Sequence, residues 1–219
     1  TLLANLVVIM SAHFGESCLA WMRSLPDDYM TSKQTVSYAG LFDDVGADAW
    51  YASSVDYVKY GRLMYGTGNN LFQPDAQMTR AMFAQVLYAL EGSPSVRGLS
   101  CPFTDAGGSW YTDAVIWAYH AGVVAGVSAT QFAPNEALTR EQMVTMLYGY
   151  AGRDEQLYGS DGALASYQDQ ASVSDWAREA MAWAVSTGVI TGTSTTTLAP
   201  QKIGTRAEVA TVLMQFCEQ

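Results

Sequence analysis

The chain has 219 residues, 49% of them hydrophobic and only 15% charged, which suits one large domain or several small modules sharing a core and excludes a disordered tail. Its net charge of −10 excludes the basic surface that non-specific binding to nucleic acid or anionic lipid requires, so an anionic partner must be gripped by a few placed cations. Cys18, Cys101 and Cys217 are odd in number and form no C-x-x-C pair, which excludes a dense disulfide framework and a cysteine-based zinc site; one disulfide with one free thiol, and three free thiols, both remain open.

The first apolar stretch, Thr1 to Met10, is too short to span a bilayer, which needs ~20 apolar residues, so no membrane insertion is expected. As a signal-peptide core it lacks a preceding basic region and a clean small-residue cleavage site. A buried amphipathic helix over Leu2 to Met22 is the expectation, and a chain opening on Thr reads as a processed or excised product. Residues 1–40 form an N-terminal helical segment or the tail of an upstream domain.

From there the chain repeats itself. A shift of 60 residues carries Trp50, Gly66, Phe72, Pro74, Thr79 and Arg80 onto Trp110, Gly126, Phe132, Pro134, Thr139 and Arg140. A further 66 reaches Trp176, Gly192, Leu198, Pro200, Thr205 and Arg206, without a gap inside any block. Three blocks follow, at 41–92, 101–152 and 166–219.

Each block opens with aromatic-x-Asp (Phe42, Phe103, Tyr167) and continues into a first helix near the Trp, with Asp48, Ser109, Ser174 or Asp175 placed to cap it. Its inward columns are Val55/Val115/Met181, Val58/Ala118/Ala184 and Tyr57/Trp117/Trp183. A Gly-bearing turn ends it, and Gly126 and Gly192 are expected at positive φ; Arg62 stands where Gly122 and Gly188 do. A short extended segment ending in Pro then leads to Thr-Arg and a second helix. There Phe83/Met143/Val209, Val86/Met146/Val212, Leu87/Leu147/Leu213 and Leu90/Tyr150/Phe216 trace one buried face. Thr139 with Gln142 and Thr205 with Glu208 spell capping boxes, whereas Thr79 meets Met82.

A lone helix-loop-helix cannot bury both faces, so the expected fold is mainly α, with three such repeats closing into one pseudo-threefold unit. Glu91 to Ser100 and Ala151 to Ser166 read as solvent-exposed linkers.

Aromatic-x-Asp, Trp, a Gly-rich turn, F-x-P and Thr-Arg-Ala-Glu in this order resemble the S-layer homology domain in three tandem copies, over roughly residues 42 to 219. The third block keeps "TRAE" at Thr205 to Glu208; the first has "TRAM" and the second "TREQ", and Gly204 stands where Leu138 and Met78 do. The resemblance implies an extracellular, non-enzymatic anchor. It would hold a bacterial surface protein, with a passenger domain upstream, to an acidic and often pyruvylated cell-wall polysaccharide. Carried over by position, the glycan-binding candidates are Arg80, Arg140 and Arg206, with Trp50, Trp110 and Trp176, Thr79, Thr139 and Thr205, and Gly66, Gly126 and Gly192. An Arg fork meets a carboxylate through two parallel hydrogen bonds, and a helix N-terminus beside it offers unsatisfied N–H groups.

Plainer readings stand beside these. The arginines also suit structural salt bridges to Asp44, Asp105 or Asp169; the tryptophans suit core or inter-repeat packing better than sugar stacking; the threonines are caps first, and the glycines turn residues. His13 and His120 are isolated, and Asp43 and Asp44 lack the pattern of a calcium loop, so no metal is expected. No nucleophile or cofactor motif is recognisable, and threefold repetition suits a repetitive polymer better than a catalytic centre. The alternative is an assembly scaffold reusing the fold without glycan affinity. A further alternative is an enzyme whose catalytic part lies upstream.

Overall fold

The computed structural model describes residues 41–152 and 162–218. The helix expected over Leu2 to Met22, the rest of residues 1–40 and most of the second linker lie outside these. Six α-helices carry the described chain: α1 (Ala52–Tyr60), α2 (Arg80–Leu90), α3 (Thr112–His120), α4 (Arg140–Ala151), α5 (Arg178–Ser186) and α6 (Arg206–Cys217). Among the described residues there are only isolated β-bridges and no strand, so the mainly α class holds. None of these helices is long and apolar enough to cross a membrane.

All seven predicted columns are buried, from Val55, Val115 and Met181 at 0% exposed to Trp117 at 7%. Each fully buried large side chain contributes about 1.5–3 kcal/mol of transfer free energy, which is why a face repeated at helical spacing dictates where each helix lies. The Thr-Arg helices begin where expected. Thr139 and Thr205 complete reciprocal capping boxes with Gln142 and Glu208. Thr79 Oγ1 accepts from Met82 N at 3.3 Å, and Met82 has no side-chain oxygen to return the bond.

The first helices start later than expected. Their N-cap positions are Tyr51, Tyr111 and Ala177, none of which makes a side-chain cap, so Asp48, Ser109, Ser174 and Asp175 do not cap α1, α3 or α5. Backbone turns do the work instead: Ala49 N donates to Gly46 O at 3.0 Å, Ala52 N to Ala49 O at 2.9 Å, and Ala177 N to Ser174 O at 2.9 Å. Each Trp therefore stands on a lead-in turn, off the helix's inner face.

The turn glycines also differ from expectation. Gly122 (φ 70°) and Gly188 (φ 77°) hold the left-handed position, and Arg62 takes the same conformation at φ 56°. Gly126 and Gly192 do not have positive φ; they are required by crowding. A Cβ on Gly126 would meet Ser128 O at 2.3 Å and Gln131 O at 2.5 Å; one on Gly192 would meet Ser194 O at 2.3 Å.

The chain forms two compact units. In one, built from residues 41–76, 89–92 and 205–218, α1 packs on α6, Thr211 Oγ1 donates to Ser54 Oγ at 3.1 Å, and the Phe42 and Phe72 rings lie 5.4 Å apart. In the other, residues 77–88 and 93–204, α4 packs on α5 and on a 3-10 turn at Asp175–Ala177. Within that second unit the residues preceding the three threonines bond in a closed trio: Met78 N to Gly204 O at 3.0 Å, Leu138 N to Met78 O at 2.8 Å, Gly204 N to Leu138 O at 2.9 Å. Each repeat thus bonds to the other two at one point. Cys101 is a free thiol and Cys217 is buried.

Candidate functional site

The aromatic-x-Asp motif works as a clamp. Asp105 Oδ1 and Oδ2 accept from Phe132 N at 2.9 Å and Ala133 N at 2.8 Å; Asp169 accepts from Leu198 N at 2.9 Å and Ala199 N at 2.7 Å; Asp44 accepts from Phe72 N at 2.8 Å and Gln73 N at 2.7 Å. The second residue of each pair precedes a proline yet has positive φ: 57° at Gln73, 58° at Ala133, 54° at Ala199. That conformation costs a non-Gly residue roughly 1–2 kcal/mol, and two charge-assisted bonds from one carboxylate offset it. The extended segment expected before the proline is thus kinked. Bonds from Leu198 and Ala199 hold the Asp169 carboxyl below its usual range against the upward push of burial. For Asp105 burial pushes upward more strongly, but bonds from Phe132 and Ala133 and the charge of Arg80 outweigh it.

The kink frees one carbonyl in each repeat, and an arginine takes it. Arg80 Nε donates to Phe132 O at 2.9 Å and Nη2 to Ala125 O at 3.2 Å. Arg140 donates to Leu198 O at 3.2 Å and Thr191 O at 2.9 Å, and Arg206 to Phe72 O at 2.7 Å and Tyr65 O at 2.6 Å. The guanidinium carbons of Arg80 and Arg206 lie 4.7 and 4.5 Å from the Phe132 and Phe72 ring centres. Arg80 and Arg140 are buried and Arg206 is half-buried. Burial lowers the pKa of Arg80 and Arg206; Glu136 and Asp105 oppose this for Arg80, and Asp44 for Arg206. Aspartate takes the N–H side of the kinked segment and arginine its C=O side, with Arg80 and Arg206 also coupled electrostatically to Asp105 and Asp44. The Nε–Nη2 fork, expected to be offered to a ligand carboxylate, is occupied by backbone.

The helix N-termini are occupied as well. Arg80 N and Ala81 N donate to Glu136 O and Pro134 O, both at 3.0 Å. Arg140 N and Glu141 N do the same to Lys202 O and Pro200 O, and Arg206 N and Ala207 N to Ala76 O and Pro74 O. With the next N–H on the threonine Oγ1, these first turns hold no spare donors for an anion. Thr79, Thr139 and Thr205 act as caps.

The tryptophans are not core. Trp50, Trp110 and Trp176 are 66%, 61% and 57% exposed, against 7% and 3% for Trp117 and Trp183 on the helix faces. The packing expectation is overturned for all three, because the lead-in turns hold them outside the hydrophobic columns. Trp50 and Trp110 stand edge-on to Tyr51 and Tyr111 at 5.2 and 5.1 Å.

In the second unit, one tryptophan and one arginine meet. A cavity of about 510 Å³ is lined by Arg80, the Val123–Val127 turn with Gly126, Gln142, Thr145 and Met146 of α4, and Trp176. It thus joins candidates drawn from all three blocks, while Arg140 and Gly192 are not among its walls. One contributor was missed from sequence. Glu141, 2% exposed, accepts from Ser174 N at 3.0 Å, Ser174 Oγ at 2.8 Å and Gln201 Nε2 at 2.7 Å. It ties down the entrance of the 3-10 turn that carries Trp176. The signal was available, since Ala81 and Ala207 occupy its place in the other copies.

The S-layer homology domain matches the chain at residues 41–84, 102–144 and 166–210. The chain is 29% identical over 180 residues to an exoglucanase of Acetivibrio thermocellus, covering 81% of this chain and 16% of that protein. It is 28% identical over 185 residues to an S-layer protein of Bacillus anthracis, covering 84% and 22%. To a surface-layer 125 kDa protein of Lysinibacillus sphaericus it is 30% identical over 191 residues, covering 84% and 15%. It spans less than a quarter of the length of each of these relatives.

Proposed function

Because the chain belongs to the S-layer homology domain family, we propose that it is a non-catalytic anchor that binds an acidic cell-wall polysaccharide and holds an attached passenger at the cell surface. Surface-layer relatives and a matching stretch within an exoglucanase support that reading, since one module recurs beside unlike partners. The observation that carries the glycan part is the cavity uniting Arg80, Gln142 and Trp176. A ring more than half exposed on such a wall offers its face to the apolar side of a sugar. Arg80 brings a positive charge into an acidic protein while two of its nitrogens stay fixed on carbonyls; Nη1 has no bond to the protein among the described residues and remains for the ligand.

A pyruvate ketal fits this chemistry, as a compact carboxylate on a sugar ring, held by one edge of the guanidinium and not by the fork. Single-site binding is expected to be weak and retention to come from several contacts along a repetitive polymer. The test is co-sedimentation of the chain with isolated cell walls before and after chemical extraction of the wall polysaccharide. Retention on intact walls and loss from extracted walls is expected. Equal retention on both overturns the proposal.

A further inference from the structure

We propose that Asp56 makes the docking of α1 on α6 proton-dependent: its carboxyl is neutral while the two helices are packed, and its ionisation loosens them. Ser54, Val55, Asp56, Tyr57 and Val58 are all buried. Five consecutive positions go right round a helix of 3.6 residues per turn, so the middle of α1 is enclosed on every side. Such a position suits an apolar side chain, and the other copies supply one: a shift of 60 residues carries Asp56 onto Ile116, and a further 66 onto Ala182. The first copy alone places a carboxyl there, and Asp56 is only 3% exposed. Among the described residues its side chain has no hydrogen-bond donor and no ion-pair partner. A carboxylate enclosed in this way is costly, so the group keeps its proton instead. Asp56 is not among the walls of the Arg80 cavity, so this proton dependence and the anchoring reading stand or fall separately.

The charged groups nearby do not relieve that cost. On α1 itself Lys59 follows three residues later, but its Nζ stands over the Phe42 ring, 5.4 Å from the centre. On α6, which packs on α1, the charges sit at the ends: Arg206 and Glu208 in the first turn, Glu218 just past the last. Arg206 is engaged by Phe72 O and Tyr65 O, and Glu208 by the Thr205 cap. The other titratable neighbours, Tyr57 and Tyr60 on α1 and Cys217 on α6, bring no positive charge at any pH. Burial pushes the Asp56 carboxyl up from the ordinary aspartate value to about 7. With the docked value above the free one, docking is strongest below the ordinary aspartate value and weakens as pH rises from there to about 7. Asp105 and Asp169 act in the opposite sense, and their contribution is lost towards acid.

The experiment is amide hydrogen exchange of the full chain at about pH 5 and about pH 8, corrected for intrinsic rates, with Asp56→Ala and Asp56→Asn alongside. In the unaltered chain, protection of α1 and α6 should fall on the order of tenfold or more between the two, since one linked proton changes an opening constant by up to about tenfold per pH unit. Protection of α4 and α5, in the other unit, should hold. Both variants should lose the dependence. Asp56→Ala, which writes the third copy's residue into the first, should be better protected than the unaltered chain at the higher pH. Equal protection of α1 and α6 at both pH values in the unaltered chain, or a dependence that survives in either variant, overturns the proposal. Should both variants fail to fold, the carbon-13 titration of the Asp56 carboxyl in the unaltered chain decides: a midpoint above about pH 5.5 upholds it, and a lower one overturns it.

Discussion

The helix starts at Arg140 and at Arg206 share one frame and differ in two side chains. In both, a threonine caps, an arginine holds two carbonyls, and an aspartate clamps the kinked segment that supplies one of them. Where the third repeat then has Ala207 and Glu208, the second has Glu141 and Gln142. Glu141 serves a 3-10 turn, and Gln142, while completing the same capping box as Glu208, also lines a cavity. The lesson is a division of labour. The shared threonines, aspartates and arginines build the frame, while the departures at 141 and 142 single out one copy, whose cavity the shared Arg80 and Trp176 also line.

The sharpest way to break this comparison is to attack the shared frame. Asp169→Ala removes two bonds to consecutive N–H groups and leaves Ala199 at positive φ without its support. A loss of about 3 kcal/mol is expected from denaturant titration, from two lost charge-assisted bonds. A loss under about 1 kcal/mol would mean that the clamp does not hold the segment. The arginine should behave likewise: Arg206→Ala deprives Phe72 O and Tyr65 O of their donor and is expected to cost about 2–3 kcal/mol. Its effect on wall binding then reports the fold before it reports a ligand contact. Acid adds a second readout. The folded pKa of Asp105 and Asp169 is depressed below the ordinary aspartate value, so their stabilisation is present above that value and is lost as pH falls through the lower folded one. Asp169→Asn should flatten the acid limb of the stability profile.

How far this division could be read in advance follows from what a sequence records. The buried columns and the Thr-Arg helix starts were legible because apolar period and cap chemistry are written in side chains. The destination of the arginines was not, since a backbone carbonyl has no letter of its own, and the positive charge suggested carboxylates. Gly126 was read as a φ requirement, but its constraint is two carbonyl oxygens that only the folded turn brings close. Trp183 and Trp176 share a letter, and the late start of α5 separates a core ring from an exposed one. Glu141 finds its partners 33 and 60 residues away, a separation at which no local pattern operates.

Glu141→Ala sharpens the comparison at middle range, because it writes into the second copy what the other two already carry. The cost should be about 1–2 kcal/mol, since Ser174 and Gln201 lie near enough to water to recover part of their bonding. Wall binding should fall further than stability does, as the turn bearing Trp176 loosens. Glu141→Gln, which keeps an acceptor for Ser174, should recover most of that binding. Equal binding by Glu141→Ala and the unaltered chain would make the latch a matter of stability alone.

The smallest expected effect on stability is the most telling for function. Trp183→Ala removes a ring buried on α5 and should cost about 3–5 kcal/mol, whereas Trp176→Ala removes one that is 57% exposed and should cost under about 0.5 kcal/mol. If Trp176 served packing, the two would converge. If it stacks on a sugar, the second variant melts like the unaltered chain and yet loses binding to wall polysaccharide by tenfold or more, as removal of a stacking ring worth ~1.5 kcal/mol would produce. Unchanged melting with unchanged binding would remove the ring from the site and leave the cavity without its saccharide face. Among the exposed tryptophans, Trp176 lines that cavity, so the same substitution at Trp50 provides the control for loss of a surface ring as such.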